Sequence, residues 1–224
     1  MATIFLIRHG LTAQTGRVLY GRTPGIDLDE RGRAQAEGLV RRFAPVRLTA
    51  LYSSPLERCV QTVEPLAAAQ RLEVIDDAAL IEMDAGSWTG RTLPQLRRTK
   101  PWKVVQEQPS AFRFPGGGEG FVEAQARAVG AVERIARRHR RGRVGIATHG
   151  DIVRIVLAHL AGSILDEFQR IVIDAASVSV VALDGRRPRV LLVNDTGGLQ
   201  RFGHATTPPW ETAGGDGRRR QVRG

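Results

Sequence analysis

Apolar residues along the chain fall into short unbroken runs and longer stretches with helical spacing, and the alternation of the two predicts an α/β fold. Thr3-Ile4-Phe5-Leu6-Ile7 has no polar interruption. A strand covered on both faces in the middle of a parallel sheet has that form, because a half-exposed strand would alternate apolar with polar. Val144-Gly145-Ile146-Ala147 is a second such run, and Leu48 to Tyr52 and Leu72 to Ile75 read as further strands. Val178 to Leu183 and Val190 to Val193 read as a terminal hairpin around Asp184-Gly185-Arg186-Arg187-Pro188. Ala36, Leu39, Val40 and Phe43 mark a helix capped by Asp29 and stopped by Pro45. Ser53-Ser54-Pro55-Leu56-Glu57 predicts another helix start, with Ser54 as N-cap, Pro55 as first residue and Glu57 closing a capping box. That helix should bury Leu56, Cys59, Val60, Val63 and Ala67, and be kinked or shortened by Pro65. Phe121 to His139 is strongly amphipathic, with Val122, Ala126, Val129, Val132 and Ala136 on one stripe. Ile152 to Leu160 reads as a buried helix ending at Gly162. Leu80 to Gly90 is too broken for regular structure, Leu93 to Arg98 is a short helix, and the following loop to Gly120 suits a mobile lid or an inert surface excursion.

Composition narrows the classes. With 224 residues and 42% hydrophobic content the chain can bury one sizeable core, so a single domain is expected over residues 1–200. Residues 201–224, rich in glycine, proline and arginine, read as a basic, disordered C-terminal tail. No apolar run approaches the length of a membrane span, and Arg8 interrupts the N-terminal run too early for a secretory signal, so cytoplasmic residence without a membrane partner is expected. Cys59 is the only cysteine, which excludes an intrachain disulfide and a cysteine-based metal cluster. The net charge of +10 would suit a nucleic-acid partner. However, Lys100 and Lys103 are the only lysines, and many arginines lie among carboxylates, as in Glu30-Arg31-Gly32-Arg33, where they read as solvated faces. Nucleic acid is therefore not the expected partner.

The candidate chemistry lies where the two unbroken strands end. One runs into Arg8-His9-Gly10 and the other into Thr148-His149-Gly150. As parallel neighbours they would deliver both histidines to the carboxyl edge of the sheet, where α/β proteins bind ligands. A helix beginning directly after His149 would aim its N-terminal amides at the same crevice and favour an anion. Arg58 falls in the first turn of its helix, and Glu82 in the irregular stretch that follows the third strand. Two guanidinium forks suit phosphate oxygens, and a neutral histidine with its tautomer set by a fixed acceptor can attack phosphorus. A carboxyl group can protonate the departing oxygen and then draw a proton from water. The arginines and second histidine can stabilise the equatorial charge, so no metal or cofactor is required.

These residues sit in four blocks, Arg8-His9-Gly10-Leu11-Thr12, Ser53 to Thr62, Glu82 to Gly90 and Thr148-His149-Gly150. In that order the chain resembles the histidine phosphatase superfamily, also called phosphoglycerate mutase-like, over about its first 195 residues. The resemblance implies an α/β three-layer sandwich with a central, mostly parallel sheet flanked by helices. It implies His9 as the nucleophile forming a phosphohistidine, Glu82 as proton donor, and Arg8, Arg58 and His149 as the phosphate pocket. It also places Thr15, Gly21, Arg22 and Gly150 on the substrate side. Thr15 stands where the family often has asparagine, and Pro115-Gly116-Gly117-Gly118-Glu119-Gly120 departs from a family element with two glycines and a serine.

The cofactor-dependent mutases of the family carry a long insertion after the glutamate segment, whereas here Glu82 runs straight through Trp88 and Gly90 into a short helix, as in the phosphatase branch. The expectation is a metal-independent phosphomonoesterase, most active below neutral pH, taking a small phosphomonoester and releasing inorganic phosphate. The alternatives are a phosphoglycerate mutase and a basic nucleic-acid- or protein-binding module with weak catalysis. His139, His159 and His204 receive no role, Trp88 reads as packing, and the oligomeric state, a homodimer included, stays open.

Overall fold

Side chains of a strand alternate between its faces, so the unbroken apolar run at the N-terminus is fully buried only between two layers. The computed structural model, which describes residues 1–184 and 187–197, places it there. Strand β1 (Ala2–Arg8) sends Ile4 and Leu6 into one core and Phe5 and Ile7 into the other. Along the chain follow β2 (Val18–Leu19), α1 (Glu30–Phe43), β3 (Ala50–Ser53), α2 (Glu57–Gln70), β4 (Val74–Asp76), β5 (Arg91–Thr92), α3 (Leu93–Arg97), α4 (Lys100–Glu107), α5 (Phe121–Arg138), β6 (Arg143–Thr148), α6 (Gly150–Leu160), β7 (Val178–Leu183) and β8 (Arg189–Asp195). The main sheet has the order β4-β3-β6-β1-β7-β8. Its first four strands run parallel and the last two are antiparallel additions, β7 and β8 forming the expected hairpin. Helices α5 and α6 cover one face, and α1 and α2 the other. The mostly parallel three-layer sandwich is therefore observed. The 201–224 tail, and Gly185 and Arg186 of the hairpin turn, lie outside the described residues.

Both cores are built from large side chains in contact, among them Phe5 edge-on to Phe43 at 5.4 Å between ring centres. Each such residue contributes roughly 1.5–3 kcal/mol on burial. That scale explains why Pro65 neither ends nor shortens α2. The roughly 3 kcal/mol cost of an internal proline is offset by Val63, Leu66 and Ala67, all in the core, and the helix continues to Gln70. Gly145 in β6 has no room for a side chain, since a Cβ there would lie 2.5 Å from Leu51 Cδ1.

Two expectations are corrected. Helix α5 buries Phe121, Ala124, Ala128, Val129, Ala131, Val132, Ile135 and Ala136, while Val122 and Ala126 of the predicted stripe are exposed. The many alanines fit either phase, and the bulkier Phe121 and Ile135 decide which face turns inward. The segment before α5 is more than an inert surface excursion. It contains α4, and Phe112 and Phe114 are buried against Trp88, which also stacks on Trp102 at 6.2 Å.

Candidate active site

Because β1, β6 and β3 are parallel and in register, with Arg8 opposite Thr148 and Ser53 opposite Ala147, the residues that follow each strand emerge side by side. His9 N–H donates to the Thr148 carbonyl at 2.9 Å, and Ser54 N–H to that of Ala147 at 2.9 Å. The imidazoles of His9 and His149 meet edge to face, 5.4 Å apart. The turn just beyond His9 lies so close to the start of α1 that both sides need glycine, a Cβ on Gly10 falling 2.9 Å from the Gly32 carbonyl oxygen. A Cβ on Gly32 would sit 2.1 Å from the Leu11 carbonyl oxygen. Gly10 N–H donates to Thr62 Oγ1 at 2.8 Å, and that hydroxyl donates to the Arg58 carbonyl at 2.6 Å. One threonine thus ties the histidine turn to the helical turn that carries Arg58.

Burial, reinforced by the charges of Arg58 and Arg8, lowers the His9 pKa to about 3, leaving the ring neutral. Its Nδ1 lies 2.7 Å from the Gly10 carbonyl, which can only accept, so Nδ1 carries the proton and Nε2 keeps its lone pair. His149 is fully buried, and burial together with Arg58 and His9 holds it well below the usual histidine range. Its Nε2 hydrogen-bonds Ser54 Oγ at 2.8 Å, and its Nδ1 lies 3.9 Å from Glu82 Oε2. With the Ser54 hydroxyl as donor to Nε2, the His149 proton sits on Nδ1. Ser54 is not the N-cap the sequence suggested: its hydroxyl accepts from Leu56 N–H at 3.4 Å, and α2 starts at Glu57 with Leu56 as its N-cap and no side-chain cap bond. Cys59 Sγ packs on the same imidazole at 3.5 Å, and burial pushes its thiol up to about 12, so it is no nucleophile.

Arg58 is completely buried, donates from Nη2 to the Gly21 carbonyl at 2.8 Å, and lies 4.7 Å from the Tyr20 ring centre. Arg8 Nη1 donates to the Ile173 carbonyl at 2.6 Å. The Nε–H of each arginine is buried without a protein partner, a loss of about 1–3 kcal/mol that an anion's oxygens recover. Helix α6, with His149 as its N-cap and no side-chain cap bond, directs its first amides to the same edge. Glu82 is mostly buried and accepts from Met83 N–H at 2.9 Å. Burial, then the charge of Asp151, raise its pKa to about 7 against the opposing pull of Arg58 and Arg8. Among the described residues no cluster of three His, Cys, Asp or Glu is arranged to hold a metal.

The predicted rim residues are placed unequally. Gly21 (φ +45°) presents its carbonyl to Arg58, and a Cβ there would crowd Ala85 Cβ at 3.1 Å. Arg22 donates from Nε to the Glu82 carbonyl at 2.8 Å and from Nη2 to Glu119 at 3.0 Å. Gly150 makes room for Arg8, whose Nε would lie 3.1 Å from an added Cβ. Thr15 Oγ1 is bonded to both the amide and the hydroxyl of Thr12 at 3.0 Å, and so braces the loop after His9.

A profile described as histidine phosphatase superfamily (branch 1) matches residues 4–196. The chain belongs to this family. It is 32% identical over 207 residues to "Phosphoserine phosphatase 1" of Hydrogenobacter thermophilus, covering 90% of this chain and 96% of that one. It is 33% identical over 192 residues to "Metal-independent phosphoserine phosphatase" of Arabidopsis thaliana, covering 80% and 76%. Among solved structures, Bacillus stearothermophilus YhfR superposes with a TM-score of 0.81 at 29% identity, covering 87% of this chain and 98% of that one.

In this histidine phosphatase, sequence reasoning missed Ser54 and Thr62 as supports of the two histidines. The only local signal at Ser54, Ser before Pro at a helix start, points to capping. What assigns Ser54 is the pairing of strands 90 and more residues apart in the chain, which brings it to His149, and what assigns Thr62 is the packing of α2 against the turn at Gly10.

Proposed function

We propose that this chain is a metal-independent phosphomonoesterase working through a phosphohistidine on His9. The observation that carries the reading is the pair of neutral imidazoles 5.4 Å apart, flanked by two arginines whose buried Nε–H groups have no protein partner. The phosphoryl dianion sits between Arg8, Arg58 and His149, with the Gly150 end of α6 toward it, while Thr15, Gly21 and Arg22 shape the rim. His9 Nε2 attacks phosphorus as the ester P–O bond breaks, and the Glu82 carboxyl proton passes to the departing oxygen. Water then attacks the phosphohistidine, Glu82 takes its proton, the P–N bond breaks, and inorganic phosphate leaves with His9 neutral again. The arginines and His149 stabilise the equatorial oxygens in both steps.

The substrate class we favour is a small phosphate ester of the phosphoserine type, because two relatives that align with most of this chain carry that name. The test is phosphate release from phosphoserine, phosphoglycerates, sugar phosphates, nucleotides and a phosphopeptide, with EDTA present, alongside trapping with labelled substrate. Label on His9 in the unmutated protein, none in His9→Ala, and hydrolysis undiminished by EDTA are the expected results. Interconversion of phosphoglycerates after priming with bisphosphoglycerate, without net phosphate release, would make the protein a mutase. Salt-sensitive nucleic-acid binding that survives His9→Ala, with no hydrolysis by the unmutated chain, would make it a binding module.

A further inference from the structure

The segment carrying Glu82 has no regular structure between the end of a 3₁₀ turn at Leu80 and the start of another at Gly86, so its backbone carbonyls need partners from elsewhere. They have them. Arg127 Nη1 donates to the carbonyls of Ala79 and Ile81 at 2.9 and 2.8 Å, Thr148 Oγ1 to that of Leu80 at 2.6 Å, and Arg22 Nε to that of Glu82 at 2.8 Å. Both arginines converge on one carboxylate. Arg127 holds Glu119 with two parallel bonds of 2.8 Å, and Arg22 adds a third at 3.0 Å. The Glu119 carboxylate is only 12% exposed.

The glycine run that precedes Glu119 fixes its height over this segment. A Cβ on Gly118 would stand 2.5 Å from Phe114 Cβ and 2.8 Å from the Asp84 carbonyl oxygen, and one on Gly86 would stand 2.1 Å from the Pro115 oxygen. With neither present, the loop lies flat and Glu119 N–H donates to the Asp84 carbonyl at 2.9 Å.

We propose that Glu119 is a positioning residue for the proton donor: by holding Arg22 and Arg127 together it sets the main chain of Glu82 against the phosphorus site. This role rests on the phosphohistidine reading above, with Glu82 as acid. Glu119 does not touch the substrate. Its loss relaxes the Glu82 backbone and weakens protonation of the leaving oxygen, while attack by His9 and the phosphate pocket stay intact.

The test separates those two parts of the reaction by the leaving group. In Glu119→Gln, phosphohistidine formation from an alkyl phosphomonoester is expected to slow about tenfold or more. From p-nitrophenyl phosphate, whose leaving group departs without a proton, it should slow less than about threefold. Glu119→Asp, which keeps the charge, should recover part of the alkyl rate. Equal losses on both esters, or no loss on either, would overturn the proposal. Should Glu119→Gln not fold, Arg22→Gln cuts the clasp at its more exposed end. The same split in the rate of phosphohistidine formation is then expected, whereas a rim role alone would raise KM for both esters alike. If the unmutated protein forms no phosphohistidine, the functional reading itself falls and this role with it. If it forms normally and the losses are equal, only the role of Glu119 falls.

Discussion

The two ends of the sheet both collect arginine, and only one of them buries it beside histidine. At the carboxyl end, Arg58 is fully buried and both Arg8 and Arg58 present unpartnered Nε–H groups beside two neutral histidines. The positive end of α6 points the same way. At the amino end, a cavity of about 860 Å³ is bordered by Met1, Glu133, Arg137, Arg140, Arg141 and His159. There the arginines are exposed, Arg137 is paired with Glu133 at 3.4 Å, and α5 and α6 present their negative C-terminal ends. The charges at that end neutralise their own surroundings, and solvent screens the rest. On the proposed reading, recognition of phosphate follows from burial and orientation of guanidinium groups, and hardly from the net +10 of the chain.

Substitutions at the two ends should behave accordingly. Glu82→Gln is expected to have the largest effect, a fall in kcat of about 100- to 10,000-fold for esters with poor leaving groups. The pH profile checks its role. The first step needs His9 neutral, which holds above about 3, and Glu82 protonated, which holds below about 7. For such esters kcat/KM should fall about tenfold per pH unit above that upper value, and Glu82→Gln should remove the limb. A rate unchanged from pH 5 to 8 in the unmutated protein contradicts the assignment. Arg58→Ala comes next, with turnover reduced on the order of 100-fold or more. Ser54→Ala, which takes the hydroxyl from His149 Nε2, should cost about 1 kcal/mol, or roughly fivefold in kcat, with KM unchanged. Arg140→Ala together with Arg141→Ala should change neither activity nor stability by more than about 0.5 kcal/mol. A strong effect of that last pair on phosphate affinity would erase the distinction between the two ends.

Much of this architecture is legible in the amino-acid sequence. The unbroken runs at Thr3 and Val144, each closing on histidine and glycine, state both burial and a shared edge, because strand geometry acts over a few residues and parallel neighbours end together. Asp29 caps α1 through Gly32 N–H, as its position before the helical spacing indicates. The phase of α5 is not legible there, since alanine fits either face and the choice is made by what Phe121 packs against.

What the chain by itself determined is the six strands of the main sheet, the order of the blocks and the chemical types gathered at their ends, all matters of local spacing. What only the tertiary structure decided is which hydroxyl serves which imidazole and which carboxylate holds which arginine. Ser54 meets His149 across 95 residues and Arg22 meets Glu119 across 97. Such pairs depend on how far buried polar groups must reach for partners once water has been excluded, and no local periodicity encodes that distance.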